Sequence, residues 1–244
     1  ITWELVVERN NSDLANVLGN LVNRTISMSN KYFGGVVENT GVKEDIDDDL
    51  IAVAEAAPVR VSAKMDELRV ADAISEIFVL LKRCNKYIDE TEPWLLAKDD
   101  AKKSRLATVL YNLIEGIRIG ANLLSAFMPK TSEKILAQIN AESSDLSGLK
   151  KGFGQYKSGT VVTEKPEILF ARLDVDEVME KVLAKEVSED GASEATEKET
   201  PDIEAKPEIT YDVFDKLQFQ VGEIIACEEV KNSKKLLKCL MYIY

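Results

Sequence analysis

The stretch VADAISEIFVLLKRCNKYIDETEPWLLAK, residues 70–98, decides the fold class. Val70, Ile74, Ile77, Phe78, Leu81, Cys84, Tyr87 and Ile88 recur every three or four positions, which lines one face of a long α-helix down to Asp89. Glu92-Pro93-Trp94 then interrupts the pattern, because proline removes a backbone donor and drives its predecessor out of helical geometry.

The same period extends outward on both sides. Downstream, Leu106, Leu110, Leu113, Ile114, Ile117, Ala121 and Leu124 predict an inward face on a helix from about Lys98 to Phe127, closed by Pro129. Thr131 or Ser132 then caps a short helix to about Ile139. Upstream, a helix from Ser12 to Tyr32, capped by Ser12 or Asp13, carries Leu14, Val17, Leu18, Leu21 and Met28 on its apolar side. Asn20, Asn23, Arg24, Ser27 and Lys31 form a polar stripe on the other side, and Gly34-Gly35 ends the helix. A shorter helix is expected from about Glu44 to Ala57, stopped by Pro58. The result is a mainly α protein, an antiparallel helical bundle.

Beyond the bundle come a Gly- and Lys-bearing loop, Leu149 to Thr160, and the segment Pro166-Glu167-Ile168-Leu169-Phe170. Between Asp174 and Glu208 thirteen side chains are acidic and four basic, with little to bury, which is the composition of a linker. Its first part, Val175 to Val187, can still form a helix. From Ile209 the pattern changes: Phe219 to Ala226 and Leu236 to Tyr244 are strand-like, separated by a lysine-bearing turn. Two strands with no sheet to join are marginal, so this β module is incomplete. The expected division is 1–173 helical, 174–208 acidic linker and 209–244 truncated β module.

Most of the net charge of −12 sits in that linker, leaving the rest close to neutral, so the acidic balance does not exclude a phosphate-bearing partner. Histidine is absent, which removes the commonest general base and metal ligand. Cys84, Cys227 and Cys239 form no CxxC pair, which argues against a zinc knuckle or disulfide framework and for a reducing cytoplasm. No metal site is expected, and no apolar run is long enough to span a bilayer. Ile1-Thr2-Trp3-Glu4 offers neither an initiator methionine nor a signal pattern, so the chain reads as a piece of a longer one.

The residues Ser12-Asp13-Leu14-Ala15-Asn16 and Leu18-Gly19-Asn20-Leu21-Val22-Asn23-Arg24-Thr25 resemble the first anticodon-domain helix of methionyl-tRNA synthetases. Cys84 through Trp94, continuing Leu95-Leu96-Ala97-Lys98, is similar to a second family stretch, and related class I synthetases often carry such a Pro-Trp after a helix. Pro166 to Arg172 looks like the family segment that returns toward the catalytic core, with Ile168 and Ala171 where prolines are usual. From Ile209, Phe214-Asp215-Lys216-Leu217, Val221-Gly222-Glu223-Ile224 and Lys231-Asn232-Ser233-Lys234-Lys235-Leu236 resemble the family's C-terminal OB-fold tRNA-binding appendage. The final Leu240-Met241-Tyr242-Ile243-Tyr244 departs from it. The HIGH and KMSKS signatures that bind and activate ATP in the family do not occur; Ser27-Met28-Ser29-Asn30-Lys31 only looks like the latter.

Asn20 and Arg24, four apart, project from one helical face. An asparagine offers donor and acceptor, and an arginine a planar fork that also stacks, both suited to base edges. Read from the residues alone, the two belong to a solvated polar stripe. The resemblance implies that these two contact a CAU anticodon, and that Trp94, set by Pro93, stacks on its first base; read without it, Trp94 is a core plug at a helix junction. Asn85 and Tyr87 are expected to support the site rather than to touch RNA. Lys231, Lys234 and Lys235 would meet RNA backbone from a loop, or be only soluble surface. The resemblance thus implies anticodon recognition within a ligase that joins methionine to its tRNA, elongator and initiator, using ATP with Mg. That catalytic domain lies outside this chain, which should be inactive alone and need no cofactor; the complete protein would pair through its full C-terminal domain. The competing readings are the equivalent domain of another class I synthetase, and a helical scaffold that binds no RNA.

Overall fold

The computed structural model describes residues 2–182, 221–229 and 237–243. The chain falls into two compact units, Ile1–Glu189 and Asp190–Tyr244. The first opens on α1 (Trp3–Arg9), a π-helical stretch (Asn10–Gly19) and α2 (Asn20–Phe33), which follow one another without a break in helical backbone. The helix therefore starts earlier than its sequence pattern indicates: the Thr2 side chain accepts from Leu5 N–H, and Ser12 and Asp13 are interior. Gly34 ends it in the left-handed conformation, with Gly34 and Gly35 N–H donating back to Asn30 and Ser29 carbonyls, as the two glycines predict.

After the two-residue strand β1 (Val36–Val37) comes α3 (Asp45–Asp66), which runs through Pro58 instead of stopping there. An interior proline costs about 3 kcal/mol, but Leu50, Ala54, Ala57, Pro58 and Val61 form a continuous buried stripe that outweighs the missing hydrogen bond. α4 (Val70–Thr91) is the expected long helix, and all of Ile77, Phe78, Leu81, Cys84, Tyr87 and Ile88 are buried. It ends on Glu92 at φ 43, a left-handed conformation uncommon for a residue with a side chain; Pro93 then opens the short α5 (Pro93–Leu96). A 3₁₀ turn (Asp100–Lys102) leads into α6 (Lys103–Leu124), and every residue from Arg105 to Leu124 is buried, so this helix is the axis of the bundle and not one amphipathic wall. Pro129 belongs to the next helix, α7 (Pro129–Gln138), as its first residue, where a missing N–H costs nothing. The short α8 (Leu146–Leu149) precedes β2 (Thr160–Val161), which pairs antiparallel with β1. Residues 175–182 are helical, as the start of Val175 to Val187 predicted.

In the second unit β3 (Gly222–Glu229) and β4 (Leu237–Ile243) form an antiparallel hairpin with an irregularity between Ile224 and Ala226. β4 falls within the expected Leu236 to Tyr244, whereas β3 begins at Gly222 and runs on to Glu229, three residues past the expected end at Ala226. Lys231, Lys234 and Lys235, and most of the acidic linker, lie outside the described residues.

Buried polar groups tie the bundle together. Arg105 of α6 donates two 2.7 Å hydrogen bonds to the Asp47 carboxylate of α3, and Tyr87 Oη of α4 donates a third at 2.6 Å. Asn112 donates to Tyr87 Oη at 3.2 Å. Further along α6, Glu115 pairs with Arg118 and accepts from three consecutive backbone N–H groups, Gly154, Gln155 and Tyr156. That carboxylate pins the glycine-bearing loop to the core.

Candidate nucleic-acid interface

The polar stripe of the first helix lies on α2. Leu18 and Leu21 are fully buried, whereas Asn20, Ser27 and Lys31 are exposed and Asn23 and Arg24 half-buried. The helix thus turns its aliphatic side inward and its hydrogen-bonding side out, the amphipathic division the spacing predicted.

Trp94 is placed against this stripe by the break between α4 and α5. Pro93 is buried and anchors the turn, while Trp94 keeps 39% of its surface exposed. A core plug is therefore excluded. Trp94, Asn23, Arg24, Ser27, Met28, Lys31 and Tyr32 line one open concavity of about 270 Å3. Arg24, Met28 and Tyr32 are four apart on α2 and face the tryptophan; Lys31 Nζ lies 5.3 Å from the Tyr32 ring centre, a cation–π distance. Tyr32 is the member that the sequence pattern left out, although its step of four from Met28 was the available signal. Arg24 also approaches Asp89 of α4 at 3.8 Å, which orients the guanidinium across the gap between the two helices.

Asn20 is on the same stripe but lines a different concavity, of about 330 Å3, with Asn16, Gly19, Asn23, Ile168, Leu169, Phe170 and Arg172. Asn23 borders both and links them. The floor of this second concavity is the π-helical stretch, whose wide turn is visible in the Asn20 N–H bonding back to Ala15 O, five residues earlier. Three asparagines of the first helix fasten the returning chain there. Asn10 donates to Ala171 O at 3.1 Å, Asn11 exchanges two bonds with the Leu173 backbone, and Asn16 accepts from Arg172 at 2.6 Å. Asn85 Nδ2 donates to the Val17 and Leu81 carbonyls, and Tyr87 is fully buried, so both act from inside the bundle.

Among the described residues no group of three or more His, Cys, Asp or Glu side chains could hold a metal ion, and no helix is long and apolar enough to cross a membrane. What the surface offers is an exposed indole beside an arginine, a lysine and an asparagine amide: an aromatic face with directional donors and cations around it.

A family model described as the anticodon binding domain of methionyl tRNA ligase matches residues 37–185, which include Pro93 and Trp94 and begin after Asn20 and Arg24. The methionine–tRNA ligase of Clostridium perfringens is 44% identical over 235 residues, covering 96% of this chain and 36% of that protein. The Bacillus subtilis enzyme is 41% identical over 241 residues, with 97% and 36% covered. The apo crystal structure of Mycobacterium tuberculosis methionyl-tRNA synthetase matches with a TM-score of 0.66 at 34% identity, over 71% of this chain and 35% of that one. Its complex with methionyl-adenylate gives 0.63 over 69% and 33%. The chain spans about a third of the length of the curated relatives it matches. Matched over more than half of its residues by that model and over nearly all of them by the ligases, the chain belongs to the family of methionyl-tRNA ligase anticodon-binding domains.

Proposed function

We propose that this chain reads the CAU anticodon of methionine tRNAs, elongator and initiator, for a ligase that charges them with methionine. Trp94 provides the platform for the first anticodon base, Pro93 sets its angle, and Asn20 and Arg24 address base edges from α2. The observation that carries the reading is Trp94, half-exposed over the same concavity as Arg24. Stacking on an aromatic ring is worth about 1–3 kcal/mol per base, and an indole left open to solvent between cationic side chains is placed to collect it. The methionine enzyme is favoured over another class I synthetase by the family match, and a scaffold without RNA binding is not favoured.

In the intact ligase, ATP with Mg would be used by the catalytic domain, and matching the anticodon would help position the distant acceptor end. Lys231, Lys234 and Lys235 would add RNA-backbone contacts from an OB-fold module whose complete form pairs two protomers, and the enzyme would work in the cytoplasm. The test is binding of the chain to synthetic anticodon stem-loops. A CAU loop should bind more tightly than one with its first base changed, and Trp94→Ala should narrow that gap by about 1–3 kcal/mol. Equal binding of both loops by the unmutated chain would defeat the proposal.

A further inference from the structure

Cys227 and Cys239 are scattered in sequence terms but lie directly opposite one another in the β3–β4 register. Their sulfurs are 2.9 Å apart, and both side chains are exposed. The next rung, Glu228 opposite Lys238, is closed by a 2.9 Å ion pair that holds the two strands in this register. Facing side chains on antiparallel strands have Cβ atoms about 4.5–5.5 Å apart, against about 3.5–4.5 Å in a disulfide, so a bond between these sulfurs requires only a small approach of the strands. Cys84 is the contrasting case: it is wholly buried between helices, and burial pushes its thiol up to about 12. Among the described residues the hairpin pair alone combines access with a facing partner.

We propose that Cys227 and Cys239 form a cross-strand dithiol site that low-molecular-weight disulfides oxidise to an intramolecular disulfide. The thiolate of one cysteine attacks a sulfur of the small disulfide RSSR, forming a protein–S–S–R mixed disulfide and expelling RS⁻, which takes up a proton. The second cysteine, as thiolate, attacks the protein sulfur of that mixed disulfide and expels the other RS⁻, which is protonated in turn. The two cysteines lose two electrons and two protons in all, and the reagent leaves as two RSH. The product clamps β3 to β4 in the register they already hold, and a dithiol reductant reverses it.

The test uses the whole chain and oxidised glutathione. Before treatment the two exposed thiols of the native chain should react quickly with a chromogenic disulfide, and Cys84 only after denaturation. After treatment both fast thiols should be gone, with no glutathione retained and a mass lower by two hydrogens. A non-reducing digest should contain the Cys227–Cys239 cross-linked peptide, and dithiothreitol should restore both thiols. The single variants Cys227→Ser and Cys239→Ser should each keep one glutathione. Loss of that adduct from the intact pair should be faster by on the order of a hundredfold, because the resolving thiol is held in place. Glutathione retained on both cysteines of the intact chain, or disulfide-linked dimers as the main product, would overturn the proposal.

Discussion

Asp47 joins three helices through one carboxylate that is almost wholly buried, and its partners show why it carries charge there. Burial alone pushes its carboxyl up, but hydrogen bonds from Arg105 and Tyr87 and from the Glu44 backbone outweigh that and hold it below the ordinary 3.8. Breaking such a pair leaves a buried cation with only the exposed Glu44, 3.2 Å from Arg105 Nε, as counter-charge, so Asp47→Asn should cost about 3 kcal/mol in urea denaturation at neutral pH. The sign of the pH dependence follows from the lowered value. The folded state takes up the proton less readily than the unfolded chain, so the stabilisation is complete above pH 3.8 and is lost as the pH falls through the folded value. The gap between wild type and Asp47→Asn should therefore be flat above pH 5 and close below about pH 4, and a gap still undiminished at about pH 2 would refute this account. The residues proposed to meet the anticodon and this pair differ in how far the sequence shows them. Asn20 and Arg24 are neighbours on one helix, and Pro93-Trp94 is a local break, so short-range rules place them, while the family resemblance is what singles them out from a polar stripe and a core plug. Asp47 reads locally as an ordinary acid at a helix start, and nothing in its neighbourhood points to Arg105, 58 positions away.

Between elements, α6 packs closely on α4. Gly116 and Gly120, one turn apart, let the axial helix approach α4: a Cβ on Gly116 would lie 2.7 Å from Cys84 Sγ, and one on Gly120 would lie 2.9 Å from Leu81 Cδ2. Alanine is the better helix former by about 1 kcal/mol, whereas overpacking a tight core costs about 1–3 kcal/mol. Cys84 is fully buried in this packed core, so the clash should win. Gly116→Ala is expected to be destabilising, and Cys84→Ala in the same chain should recover much of the loss, giving a favourable coupling in a double-mutant cycle of urea midpoints. Additive effects would mean that the two residues do not meet. Helix existence was legible because the apolar period of three and four is a local signal. Helix ends at Pro58 and Pro129 were misread because a proline's meaning depends on what packs around it: a buried stripe carries α3 past one, and the other sits at the first position of α7. The π-helical turn was not legible either, since its asparagines are fastened to Ala171, Arg172 and Leu173, more than 150 residues away.

At the scale of the whole molecule, the two units carry different kinds of surface. Asn20, Arg24, Pro93 and Trp94 all belong to the first unit, Ile1–Glu189, whose apolar side chains fill one core around α6. The described hairpin of the second unit leaves Val221, Ile224, Ile225, Leu240 and Met241 more than half exposed. An exposed apolar surface of this kind favours association. Anticodon reading should therefore be a property of the first unit and self-association a property of the second. Ending the chain after Glu189 is expected to leave CAU stem-loop affinity within about twofold, a difference of under 0.5 kcal/mol. The same deletion should abolish the concentration-dependent association that sedimentation of the full chain would show. Neither form should support methionine-dependent ATP–pyrophosphate exchange, which provides a control that no intact ligase contaminates the binding measurement. A shortened chain that folds, by an unchanged cooperative helical melt, yet loses stem-loop binding would show that residues beyond Glu189 take part in recognition. The division of labour between the two units would then be wrong, even with the helical site correctly assigned.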